Sequence, residues 1–242
     1  MIDKTTTNKA RSLYYGLLSK LLVYSTEDNR FEGVDDALAI ICTNPLDEYS
    51  EKAAKQLLNT IDTKGFEYLS DEFEMLFHIF YGKEVRTSAS HYLEGVETGR
   101  KLVEVRDFIA KTRIRRNEAL YKDNEDTVPF LLSFMHDLVE LSLKGEKSYE
   151  NIQHCLFSEI INPFIDYFIK DLFEHKRSDA YKDVAIILNS FMEFERLYFE
   201  VSKPAMKEVV KTKKELEEEK EMARRAANKA KRDAERAAKS AC

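Results

Sequence analysis

The chain has 242 residues, 43% of them hydrophobic, with a net charge of −6. That length supplies a sizeable core in one large domain or two small ones, but 7 Gly and 4 Pro are too little turn punctuation for an all-β or Rossmann-type protein. The charge is uneven: Ala205–Cys242 carries twelve Lys and Arg against eight Asp and Glu, a net of +4, which leaves −10 on residues 1–204. An acidic body disfavours nucleic acid as a partner and favours a basic ligand or peptide.

The first helix is expected over 8–24, where Leu13, Tyr14, Leu17, Leu18, Leu21 and Leu22 form a stripe of helical period. Phe31, Val34, Leu38 and Ile41 predict a short second helix that stops near Asn44-Pro45. A third runs over 46–61 and is broken by Thr63-Lys64-Gly65. Residues 66–81 are dense in aromatics, with Phe66, Leu69, Phe73, Leu76, Phe77 and Phe80 on one face. In the same stretch Glu72 and Glu74 read as a solvated face. Residues 83–93 lack a helical period and are expected to be a loop. A helix then resumes over Gly95–Thr112. The polar linker 113–127 is the expected flexible hinge.

The stretch Asn124–Leu143 opens as an acidic turn and becomes an apolar helix. Thr127 is placed to cap that helix, and Pro129 suits its first turn, where a missing N–H costs little. The helix ends near Lys144-Gly145. Tyr149–Ile160 forms another, Pro163 interrupts it, and Asn162 is the expected N-cap of the helix that carries Phe164 to Phe173. A last core helix spans 179–200. The tail 205–242 has strong helix propensity but almost no large apolar residues, so it is expected as an exposed helix or a disordered extension. The fold class is therefore all-α: one helical bundle over 1–204 with a charged C-terminal extension.

Little in the sequence supports catalysis. His78, His91, His136, His154 and His175 show no spacing that converges ligands on a metal. No glycine-rich phosphate loop is present, and Ser88 and Ser90 near His91 lack an elbow motif. Three scattered cysteines argue for a reducing compartment rather than a disulfide framework. No apolar N-terminal segment reads as a signal peptide, and no run approaches the ~20 residues of a membrane span. A cytoplasmic, non-enzymatic interaction protein without cofactor follows. An apolar groove with carboxylates would suit a peptide bearing apolar and Arg residues.

Several short motifs then carry a resemblance. Arg11-Ser12-Leu13-Tyr14-Tyr15 with Leu18 resembles an opening R-x-x-x-Y-x-x-L helix. Phe73-Glu74-Met75-Leu76-Phe77 followed by Ser90-His91-Tyr92 resembles a Y/F-E-x-L-F … S-x-Y block. Asp126 with Leu132, Phe134 and Met135 matches an E-x-x-D-H-x-x-x-E-L-x-F-M signature, with Thr127 in the His place and Leu131 in a Glu place. Ile160-Ile161-Asn162-Pro163-Phe164 is similar to an H-L-x-P-W turn. Together these resemble the TorD/DmsD/NarJ chaperones over roughly 8–200.

The resemblance implies an all-α fold and a role in maturing a molybdenum-cofactor oxidoreductase. Its implied partners are a twin-arginine (Tat) signal peptide and the catalytic subunit, of formate dehydrogenase, DMSO/TMAO reductase or nitrate reductase type. It permits a monomer or a domain-swapped dimer. Asp126 and Glu125 are then expected to accept guanidinium hydrogen bonds, beside Thr127, with Leu76, Phe77 and Tyr92 along the apolar part. Each has a plainer role open to it. Asp126 can cap the helix, Leu76 and Phe77 can be core, and Tyr92 can anchor its loop through its hydroxyl. The competing reading is a non-catalytic scaffold or regulator that binds a partner through its charged tail.

Overall fold

A computed structural model describes residues 3–25, 29–78, 84–117 and 121–205, with 217, 220, 221, 224 and 225 of the tail. Among the described residues the fold is all-α and no strand forms. The helices are α1 (Lys4–Leu22), α2 (Val34–Thr43), α3 (Glu48–Phe77), α4 (Ala89–Glu94), α5 (Arg100–Ala110), α6 (Val128–Leu143), α7 (Tyr149–Leu156), α8 (Asn162–Glu174) and α9 (Ala180–Phe199). Helix α1 lies along α6 and α3 lies along α9, while α2 packs on α3 and α8 on α9. The apolar stripes of these helices meet in one continuous core, which removes their aromatic and aliphatic side chains from water. The described tail residues are helical and exposed, and Arg225 Nε pairs with Glu221 at 3.1 Å.

Helix α3 starts on a reciprocal cap. Asp47 Oδ1 accepts from Ser50 N–H at 2.7 Å, and Ser50 Oγ accepts from Asp47 N–H at 3.1 Å. The expected break at 63–65 is real but narrow: Gly65 alone leaves helical geometry, with φ 77° and ψ 170°, a region essentially reserved for glycine. The chain bends there and resumes as helix to Phe77. Phe80 and Tyr81, which would extend that pattern, lie outside the described residues.

Five expectations need correction. Glu72 is not on a solvated face; it is 2% exposed, and its carboxylate accepts from the N–H groups of Asp179 (2.7 Å), Ala180 (3.0 Å) and Tyr181 (2.9 Å). It thus caps α9 from outside, at the end where a negative charge complements the helix dipole. Glu74 is exposed as expected. Residues 89–94 are not loop but the short helix α4, with Ser88 Oγ accepting from His91 N–H at 3.2 Å and Gly95 ending it in the left-handed region. Six residues are too few to show a helical period.

Pro163 does not interrupt its helix either. Residues Phe157–Ile161 form a π-helical turn that joins α7 to α8. Such a turn widens the helix where a Pro ring would otherwise clash with the preceding turn. Asn162 accordingly has helical geometry and is no N-cap. Its amide accepts from Arg196 Nε at 2.8 Å and donates to Ser202 O at 3.0 Å. Last, Thr127 occupies the N-cap position of α6 without a side-chain cap bond. Its hydroxyl donates to Asn124 O at 2.9 Å and pairs with Tyr121 OH at 2.7 Å. Pro129 does sit in the first turn.

The opening motif has a structural meaning. Arg11 is fully buried and bonds both oxygens of Glu195, Nε at 2.6 Å and Nη2 at 2.8 Å. Tyr15 OH donates to the same carboxylate at 2.6 Å. Burial works against the Arg11 charge, but Glu195 outweighs it and raises the guanidinium's pKa.

One half-buried carboxyl at the start of α9 behaves differently. Burial, then the charges of Asp179 and Glu72, raise Asp183 to about 6 from an ordinary 3.8. The folded state therefore holds this proton more tightly than the unfolded state. The resulting stability is fully present below the ordinary value and is lost as pH rises through about 6. Asp183→Asn is expected to flatten the stability slope between about pH 4 and 6, by on the order of 1 kcal/mol after solvent screening. Urea melts across that range, compared with the parent chain, measure it.

No helix among the described residues is long and apolar enough to cross a membrane.

Candidate functional site

The segments that carry the Phe73–Phe77, Ser90–Tyr92 and Asp126 motifs meet at one junction. The chain leaves α3, returns as an extended stretch at 84–88, and pairs there with the turn before α6. Ser88 and Thr127 form an isolated antiparallel bridge. Val128 N–H donates to Thr87 O and Ala89 N–H to Asp126 O, both at 2.9 Å. This short pairing fixes two loops that are about forty residues apart in sequence.

Asp126 is the lock of that junction. It is fully buried. Its Oδ2 accepts from Ser90 Oγ at 2.6 Å and from Ser90 N–H at 3.0 Å. Ser90 Oγ in turn accepts from Gly99 N–H at 3.2 Å, so three segments are joined in one chain of bonds. Glycine suits position 99 because a Cβ there would stand 1.8 Å from a Glu94 carboxylate oxygen. Burial raises the Asp126 pKa, and the two Ser90 bonds oppose that shift. The second oxygen, Oδ1, is buried without a hydrogen-bond partner among the described residues.

Beside this junction lies a cleft of about 190 Å³. Leu22 and Tyr24, just after or at the end of α1, and Phe73 and Phe77 of α3 form an apolar wall. The extended stretch supplies Glu84, Val85, Arg86, Thr87 and Ser88. Glu97, Asp123, Asn124, Thr127 and Pro129 complete the rim, with His78. Three carboxylates and one guanidinium therefore face an aromatic wall. Tyr24, 40% exposed, lies over Phe73 with ring centroids 6.5 Å apart. Aromatic faces with acidic neighbours suit a segment that carries apolar and cationic groups together.

The six residues singled out from sequence divide around this cleft. Phe77 and Thr127 line it. Leu76 is fully buried in the core, and its carbonyl accepts from Val85 N–H at 2.9 Å, which holds the extended stretch against α3. Tyr92 is buried as well. Its hydroxyl donates to Arg86 O at 2.9 Å and lies 3.2 Å from Asp171 Oδ2. Asp126 sits behind the wall, bonded to Ser90. Glu125 is nearly buried between two internal guanidiniums, with Oε2 at 2.9 Å from Arg106 Nη2 and Oε1 at 3.5 Å from Arg116 Nη1.

Glu84, Arg86, Glu97, Asp123 and Tyr24 were not singled out from sequence. Glu84, Arg86 and Asp123 fall in stretches without period, and Tyr24 and Glu97 at the ends of expected helices, where nothing local marks a residue as facing a cleft. Among the described residues no group of three His, Cys, Asp or Glu side chains converges as a metal site.

No curated protein matches the chain. The family model for the nitrate reductase delta subunit matches residues 43–170, a span that runs from the end of α2 to α8 and contains the whole Asp126–Ser90 junction. That match covers more than half of the chain, and with the all-α fold it places the protein in the nitrate reductase delta subunit family, the NarJ/TorD-like chaperones of molybdoenzyme maturation.

Proposed function

We propose that this chain is an enzyme-specific chaperone of the cytoplasm that binds a twin-arginine signal peptide, or an equivalent N-terminal segment, of an apo molybdenum-cofactor oxidoreductase. By holding that segment it aids cofactor insertion in the catalytic subunit and prevents premature export. The observation that carries this reading is the acid-rimmed aromatic cleft beside the Asp126 junction. The apolar part of a signal peptide would lie on Tyr24, Phe73 and Phe77. Its guanidiniums would meet the carboxylates of the rim through charge-assisted hydrogen bonds. Asp126, Leu76 and Tyr92 hold the walls in place, while Glu125 is offset by Arg106 and Arg116.

Binding of a labelled twin-arginine peptide tests the reading. Affinity is expected to weaken as salt rises, because part of the contact is ionic. Asp126→Ala is expected to weaken it only indirectly, because losing the two Ser90 bonds loosens the junction behind the cleft rather than removing a contact with the peptide. A melting curve taken on the same sample separates lost binding from lost fold. If neither the peptide nor the full catalytic subunit binds, the reading falls.

A further inference from the structure

Resting on that reading of the cleft, we propose that Arg30 is a receptor for a carboxylate of the bound segment, so that the site takes a segment whose apolar stretch is followed by an acidic residue. Arg30 lies in the turn between α1 and α2 and is half-buried. Its guanidinium carbon stands 4.1 Å from the ring centroid of Phe73 and 4.8 Å from that of Phe31. Phe73 belongs to the aromatic wall of the cleft, beside Tyr24. The cation therefore touches the wall on which the apolar stretch would lie.

The edge of this guanidinium that pairs with carboxylates is empty. Nε and Nη2 are both shielded from water, and neither has a hydrogen-bond partner among the described residues. These two nitrogens form one side of the guanidinium fork, whose spacing matches the two oxygens of a carboxylate. Two buried arginines fill the same edge. Arg11 uses it to hold both oxygens of Glu195, and Arg196 uses it to hold Asn162 Oδ1 and Asp166 Oδ2. Burial works against the charge of Arg11 and of Arg30 alike. Glu195 outweighs it at Arg11, whose pKa rises, whereas Tyr181 and Glu74 do not outweigh it at Arg30, whose pKa falls.

A donor pair kept from water without an acceptor is a standing cost to the fold. Arg30 can keep its apolar stem on Phe31 and Phe73 while its head turns outward, and a carboxylate that meets the fork there removes the cost. The charges of the site then set a direction. Glu84, Glu97 and Asp123 stand on the rim and attract the basic end of a segment. Arg30 meets Phe73 and repels a cation at the far end of the apolar stretch. A segment with basic residues before its apolar stretch and an acid after it satisfies both, and the reversed order meets like charges at each end.

The test uses the full chain and fluorescent peptides read by anisotropy. All share an arginine-bearing start and one apolar stretch, and a single Glu, Gln or Lys is moved through four successive positions after that stretch. In the parent chain one position is expected to rank Glu above Gln above Lys, with Glu about fivefold tighter than Gln, the upper end for an ion pair that water still reaches. In Arg30→Met, which keeps an apolar stem on both rings, the three are expected to bind alike. Arg30→Lys keeps the cation without the fork and serves in place of Arg30→Met where that variant does not fold; its preference for Glu is expected to fall below twofold. Melting curves identify the folded variants. Peptides that all bind with no preference for Glu at any position, or a preference of full size in a folded variant, overturn the carboxylate site while leaving the cleft as the peptide site. A parent chain that binds none of the peptides overturns the peptide reading, and this inference with it.

Discussion

Glu195→Ala is expected to destabilise the protein by about 3–5 kcal/mol, the range found when one partner of a buried ion pair is removed. Glu195 and Arg11 are both fully buried. With the carboxylate gone, the Arg11 guanidinium keeps Asn8 Oδ1 at 3.1 Å and Gln153 Oε1 at 2.9 Å but has no countercharge. It also keeps the faces of Tyr198 and Phe199, with its central carbon 4.1 and 4.8 Å from their ring centroids. Those contacts soften the loss without neutralising the charge. Tyr15 OH loses its acceptor at the same time. A typical domain has about 5–15 kcal/mol in total, so urea melts should show a readily unfolded chain. Replacing both partners together, Arg11→Met with Glu195→Leu, is expected to recover most of the loss, because the desolvation cost disappears with the charges. A single-variant loss under about 1 kcal/mol would mean that water reaches Arg11 and stands in for the carboxylate.

This pair also shows how far the sequence could be read. The position of Arg11 four residues before Tyr15 was legible as a motif, and the leucines around it as a helix. Its purpose was not, because Glu195 lies 184 residues away and looks like any carboxylate on an amphipathic helix. The same holds at the candidate site. The order of the Phe73–Phe77, Ser90–Tyr92 and Asp126 motifs was readable. That Asp126 reaches back 36 residues to Ser90 was not, since no local periodicity encodes the meeting of two loops. Helices were legible where apolar spacing repeats for three turns or more, as in α1 and α9. They were missed or misjudged where geometry depends on one or two residues: the six-residue α4, the π turn ahead of Pro163, and the single non-helical Gly65 inside α3.

Polar groups were the harder half throughout, for a physical reason. An apolar side chain declares its burial by type, whereas a carboxylate is buried only where a distant donor waits for it. Asp126 and Glu125 illustrate the two outcomes. The first is sealed against Ser90, the second is clamped by Arg106 and Arg116. Both were expected to meet a ligand's guanidinium. Their placement turns attention to Glu84, Glu97 and Asp123, which stand on the cleft itself.

Glu72→Ala is expected to cost about 3 kcal/mol, because it strips three backbone N–H groups, two of them buried, of a charged acceptor at once. Asp179, Ala180 and Tyr181 begin α9 and have no intrahelical partner for these groups. The Asp179 side chain cannot serve in place of Glu72, since it is already engaged by Tyr68 OH at 2.7 Å and Lys64 Nζ at 3.3 Å. Glu72→Gln keeps one acceptor oxygen and turns an NH2 toward the remaining donors, so about half of the loss is expected. Hydrogen exchange gives the specific readout: the amides of residues 179–181 should lose protection, while those in the middle of α6 should slow or quicken only with global stability. Unaltered exchange at 179–181 would show that the start of α9 finds other acceptors. The substitution also bears on function. Glu72 precedes Phe73, which lines the cleft, and it anchors this part of α3 to α9. Peptide affinity is therefore expected to fall together with stability in Glu72→Ala.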